Sequence, residues 1–198
     1  MMRKSVLLLL CLGLFGFSAT AQYNIIPGKG FDDVKIKMHI DDIVKVLGSP
    51  EEIISFEDEK ESWENGGYDI QKSLPFYIGF DEVYMFGDNK YAIWKVYVKK
   101  KKAVYVNLSS YLHDEDITDK ISLNNDVHFY DNLNKVVSVL GGKYHYKVDE
   151  GENTLIFFLE QGIELIINEQ ELRNICFFKP MKAKKAVIQL GLMSPGNF

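Results

Sequence analysis

Apolar residues recur along this chain with two periods, and the longer one appears twice. Ile40, Ile43, Val44 and Leu47 stand at i, i+3, i+4 and i+7, the spacing of one helix face. Leu133, Val136, Val137 and Leu140 repeat that spacing 93 positions later, and both runs end on a Leu-Gly step. The echo predicts two short helices, Ile40–Leu47 and Leu133–Leu140, and a duplicated unit. Asp41 and Asp42 suit the positive end of the first helix, while Gly48 and Pro50 stop it. Helices this short have little stability alone in water, so each is expected to lie on a sheet.

The shorter period supplies the sheet. Val34, Ile36 and Met38 alternate with lysines as an extended lead-in, and strands are predicted at Ile53–Phe56, Pro75–Phe80, Glu82–Phe86 and Ile93–Val98. In the last of these Trp94, Val96 and Val98 share one face, and Ile93, Lys95 and Tyr97 share the other, which is expected to meet water or a ligand. Lys99–Lys102 reads as a turn or a guarded edge, Ala103–Leu112 as a further strand, and residues 113–120 as an acidic connector. The second unit follows the same plan, with a lead-in at Val127 and Phe129 and strands at Lys143–Val148, Thr154–Glu160, Ile163–Asn168 and Arg173–Phe178. The hairpin from Glu82 to Val98 reads as the counterpart of the one from Ile163 to Phe178. The expected class is α+β, two tandem units of a short helix on an antiparallel meander: residues 22–98 and 121–180, joined by 99–120 and followed by a tail, 181–198.

Between residues 57 and 72 both periods fail. The run EDEKE and then SWENGGYD read as a long loop carrying Trp63 and Tyr68, amphipathic rings of the kind that anchor interfaces. With Tyr84 and Tyr97 on the sheet, these are the candidate partner-binding residues.

Composition narrows the setting. A chain 46% hydrophobic and 13% aromatic can build a core. Residues 1–21 read as a cleaved secretory signal: Arg3 and Lys4, an apolar run from Val6 to Phe17, then Ala19-Thr20-Ala21, with cleavage expected before Gln22 and a periplasmic or extracellular product. The apolar run is shorter than the roughly 20 residues a bilayer demands, so no transmembrane segment is expected after cleavage. Leu10 before Cys11 is a poor neighbour for lipidation, so a lipid anchor is not expected. Cys176 is then the one mature cysteine and can form no internal disulfide; it reads as a buried strand residue. Without the signal, 21 basic residues face 28 acidic ones, a balance that disfavours nucleic acid.

Catalytic chemistry is not indicated. His39, His113, His128 and His145 show no metal-site spacing, Asp114, Asp116 and Asp119 lack the glycine and glutamate of a calcium loop, and Lys29 lies outside any phosphate-loop pattern. No nucleophile elbow or glycine-rich cofactor loop is present. The expectation is a non-enzyme with no catalytic, cofactor-binding or metal residues.

The segment from Ile36 to Pro50, IKMHIDDIVKVLGSP, resembles the pattern I-x-x-G-M-[ST]-x-x-[DE]-V-x-x-L-L-G-x-P of envelope proteins. It is similar to the helix-plus-sheet unit of small outer-membrane assembly lipoproteins of the SmpA/OmlA type and, doubled, to the beta-lactamase inhibitor protein fold. Lys37 replaces the usual glycine and His39 the usual Ser or Thr cap, and the second copy lacks the Met and the Pro. The export signal, the duplicated unit and the missing catalytic chemistry lead to the expectation of a binding protein, of inhibitor or immunity type, that docks a protein partner on its sheet face or its Trp63–Tyr68 loop. The alternative is a structural accessory of the bacterial envelope.

Overall fold

The computed structural model describes residues 23–87, 94–110, 121–142, 144, 146–150 and 152–183. The expected signal, the turn at Asp88–Lys90, His113, the acidic connector, His145 and the tail beyond residue 183 lie outside them. The class is α+β.

An eight-stranded antiparallel sheet carries the fold. Its first half holds β4 (Glu52–Ser55), β5 (Glu82–Phe86), β6 (Trp94–Lys99) and β7 (Lys102–Ser109), and its second β10 (Tyr146–Glu150), β11 (Asn153–Phe158), β12 (Ile163–Asn168) and β13 (Glu171–Phe178). The order β10-β11-β12-β13-β7-β6-β5-β4 is a palindrome about the β13–β7 seam. A smaller sheet, β3-β2-β1-β8-β9, joins β1 (Tyr23–Ile26), β2 (Gly30–Phe31) and β3 (Val34–Lys35) to β8 (Ile121–Leu123) and β9 (Val127–His128). Strand β1 sits at its centre, antiparallel to β2 and parallel to β8.

The two repeated helices are α1 (Ile40–Leu47) and α4 (Leu133–Val139). His39 caps α1 through Nδ1, which accepts from Asp41 N–H at 3.3 Å, and Asn132 caps α4 by accepting from Lys135 N–H at 3.0 Å. Ile43 and Val136, equivalent by the 93-residue offset, are fully buried. Both helices and the small sheet cover one face of the large sheet, here called the inner face, where Phe31 meets Trp94 edge-on at 4.3 Å.

The duplication extends to single hydrogen bonds. Ile40 N–H donates to Lys101 O at 2.9 Å, and Leu133 N–H to Gln170 O at 3.3 Å; Lys37 N–H donates to Ala103 O, and Tyr130 N–H to Leu172 O. Lys37 and Tyr130 share a left-handed backbone, with φ of 72° and 66°. The β6–β7 turn at Lys100-Lys101 and the β12–β13 turn at Glu169-Gln170 both hold two residues with positive φ, the pattern of type I′ hairpins that matches strand twist. Each hairpin has a register shift at the same place, Tyr97/Val98 and Ile166/Ile167. The true counterpart of the Ile163–Phe178 hairpin is therefore β6–β7, not Glu82–Val98. Likewise β7 is the fourth strand of the first meander by its pairing, where the sequence reading left it in the connector. The lysine run is a turn between central strands, not a guarded edge.

The halves differ between their first two strands. Strands β10 and β11 are separated by two residues, whereas between β4 and β5 the chain makes α2 (Phe56–Asn65), a 3-10 turn (Ile70–Lys72) and α3 (Leu74–Ile78). Two expectations are corrected here. The supposed loop over 57–72 is largely helical, because Ser55 caps α2 by accepting from Asp58 N–H at 3.2 Å and Phe56, Glu59 and Trp63 form one inward face. The supposed strand Pro75–Phe80 begins as a helix, with Pro75 in the first turn, where its missing N–H has no helical role.

Candidate functional site

The insert covers the outer face of the sheet's first half, and its anchor is a buried carboxylate. Glu59 is 1% exposed. Its Oε1 accepts from Tyr97 OH at 2.8 Å, from Trp63 Nε1 at 2.9 Å and from Lys95 Nζ at 3.3 Å. A buried carboxylate is tolerated only with such partners. Around it Phe80 meets Tyr97 at 4.9 Å, Trp63 meets Phe76 at 5.4 Å, and Phe56 meets Phe76 and Phe80 at 5.7 and 5.1 Å.

The polar row continues across the seam. Tyr97 contacts Tyr105 edge-on at 5.2 Å, and Tyr105 OH donates to Glu164 Oε2 at 2.7 Å in the second half. Burial, and then the Glu59 carboxylate, pushes the Tyr97 phenol well above its ordinary value. Burial also raises Tyr105, with Cys176 and Glu164 beside it, and raises the Cys176 thiol, with Glu164 adding to it. These groups are thus fixed as neutral donors, and a buried neutral thiol is a poor nucleophile.

The four sequence candidates separate. Trp63 and Tyr68 come together on the insert, ring centres 5.6 Å apart, with Trp63 half-buried and Tyr68 47% exposed. Tyr84 lies on the opposite face of the sheet, half-buried, its OH on Glu82 Oε2 at 3.1 Å. Tyr97 offers no surface: at 1% exposed it is part of the core beneath the insert. The face of β6 that holds Lys95 and Tyr97 is accordingly covered on this side, where the sequence expectation left it open to water or a ligand. Glu59 was missed because an acid within EDEKE reads as solvated; its signal was the i, i+4 pairing with Trp63.

No protein-family model matches the chain, and no curated protein matches it. Among solved structures it is similar to a cysteine-rich secretory protein from Staphylococcus aureus, with 8% identity and a TM-score of 0.37. That likeness covers 73% of this chain and 43% of the other, so the chain spans less than half the neighbour's length. It bears on neither fold nor function.

The insert's outer surface is acidic. Glu57, Asp58, Glu61 and Glu64 are exposed on α2, and Lys60 is drawn to Glu64 at 3.9 Å. Among the described residues no group of three or more His, Cys, Asp or Glu side chains is arranged to hold a metal ion, and no helix is long and apolar enough to cross a membrane.

Proposed function

We propose that the protein is an exported, non-catalytic binding protein of inhibitor or immunity type, and that its partner protein docks on the insert between β4 and β5. The observation that carries this reading is the asymmetry of the repeat. Two residues suffice to join β10 to β11, so the scaffold does not require the insert to link β4 to β5. The insert spends its length on presenting Tyr68 against Trp63 amid exposed carboxylates. Aromatic rings held rigidly by a scaffold are the usual anchors of interfaces. The resemblance of Ile36–Pro50 to envelope and inhibitor modules supports the same class.

The test is capture of partners from an envelope extract by the mature protein. Tyr68→Ala is the informative variant, because it removes the exposed ring and leaves the Glu59 anchor in place. A specific protein enriched by the wild type and reduced about tenfold by Tyr68→Ala is expected, the size of a ~1.4 kcal/mol loss. Equal capture by both, or no enriched protein, counts against the reading.

A further inference from the structure

The outer face of the sheet's second half has no insert over it, yet it is not open to water. Phe157, Leu159, Cys176 and Phe178 belong to the outer cluster and are fully buried, with Glu164 among them at 3% exposure. A sheet face is sealed to that degree only beneath another layer of chain. The insert does not reach far enough to be that layer. Its helix α3 packs on β7, and β11 stands three strands farther along the sheet, roughly 14 Å away at the usual strand spacing. A helix with its side chains extends only about 6 Å from its axis. On this side Met181 and Ala183 are the described residues that join the cluster from beyond the sheet. Met181 N–H donates to Leu159 O at 3.0 Å, so the chain leaving β13 turns back onto the outer face, and Ala183 has helical backbone. Burial is deepest at the end where the chain arrives: Leu159, Phe157 and Phe178 are sealed, whereas Leu155, Ile166 and Val148, farther along, are half-buried.

The sequence past this point is suited to continue the cover. Ala183, Ala186, Val187 and Leu190 stand at i, i+3, i+4 and i+7, Met193 extends the stripe, Lys185 falls away from it, and Pro195 and Gly196 end the run. Residues 183–193 span about 16 Å as a helix. That matches the distance from Leu159 to Leu155, about 13 Å along a strand. We propose that the segment from residue 184 to 193 docks as an amphipathic helix on the outer face of β10–β13. It seals the second half of the sheet as α2 and α3 seal the first, with its apolar stripe over Phe157 and Cys176.

Cys176 reports on the cover, because it lies beneath it and is the one cysteine in the chain from Gln22 onward. In the mature protein its thiol should react only slowly with a maleimide. Val187→Asp combined with Leu190→Asp puts two charges on the apolar stripe and should speed the reaction about tenfold or more, whereas Lys185→Asp should leave it unchanged. A second readout needs no loosening of the tail and so survives a double variant that fails to fold. Ala186→Cys, Val187→Cys and Leu190→Cys are introduced singly, and at least one should form a disulfide with Cys176 within the same chain under mild oxidation, while Lys185→Cys should not. The proposal is overturned if none of the three cross-links within the chain, or if the double variant folds and keeps its thiol protected. A disulfide between two chains overturns it as well and makes a second copy the cover. Tyr68→Ala should alter neither readout, so the tail and the docking insert succeed or fail separately.

Discussion

Set one half of the sheet on the other and its two faces behave differently. On the inner face most equivalent pairs are apolar on both sides, among them Phe86 and Phe158, Trp94 and Ile163, Val96 and Leu165, Val98 and Ile167, Ala103 and Leu172, Val106 and Ile175, Leu108 and Phe177. On the outer face the pairs of β6 with β12 and of β7 with β13 have parted company: Lys95 and Glu164, Tyr97 and Ile166, Tyr105 and Asn174, Asn107 and Cys176. The inner face meets the same structures in both halves, a helix and a small hairpin, and so answers to one packing problem. The outer face meets an insert in one half and none in the other. What a position faces, more than where it lies in the repeat, has decided its residue.

The comparison can be broken by moving residues from one half to the other. Tyr97→Ile installs the second half's residue beneath the insert. It removes one of Glu59's donors and the ring contacts with Phe80 and Tyr105, and should cost about 3 kcal/mol in urea unfolding. A loss below about 1 kcal/mol would mean that the outer face is as interchangeable as the inner one.

Alkali probes the same row without mutation. Tyr97 and Tyr105 are raised from an ordinary 10.0, and Cys176 from 9.0, so unfolding releases protons that the native state holds. Stability should be level below the unfolded values, begin to fall near pH 9 as the thiol titrates in the unfolded chain, and fall faster beyond 10. Each group contributes about 1.4 kcal/mol per pH unit within its window. Tyr97→Phe should flatten the slope, and an unchanged slope would remove the phenol from the account.

The inner-face exchange sharpens the contrast from the other side. Ile175→Val imports the residue at Val106, and deleting one buried methylene there should cost only about 1 kcal/mol by the same assay. Smallest are the turns. Replacing Lys100-Lys101 or Glu169-Gln170 by Asn-Gly relieves positive φ in residues that tolerate it poorly, and each change should raise stability by about 0.5–1 kcal/mol. Equal gains at both turns would show that the two hairpins remain the same device.

Much of this was legible from the sequence, for physical reasons. The helices at Ile40 and Leu133 declared themselves because an amphipathic stripe with caps has few other readings. Strand alternation is less specific: every two-strand segment of a meander resembles the next, so the counterpart of Ile163–Phe178 was placed one strand early, at Glu82–Val98. Helix α2 was hidden because its inward face is Phe56, Glu59 and Trp63, and the acid among them breaks the apolar period. Tyr97 was misplaced for the converse reason. Lys95 beside it suggested an open face, yet that lysine is only partly exposed and reaches Glu59 under the insert.

Strand β1 has a consequence for how the chain acquires its shape. The first described strand pairs Tyr23 with Ile121 and Ile25 with Leu123, so one of its sides has no neighbour until nearly a hundred further residues exist. Synthesis from the N-terminus therefore yields a first half that can form its hairpins, whose contacts are local, but cannot complete the small sheet. Pairings this distant in sequence are slow to form. The growing polypeptide should stay open at the join until its second copy arrives, and a truncation before residue 121 should be cut by proteases along β1 faster than the full chain.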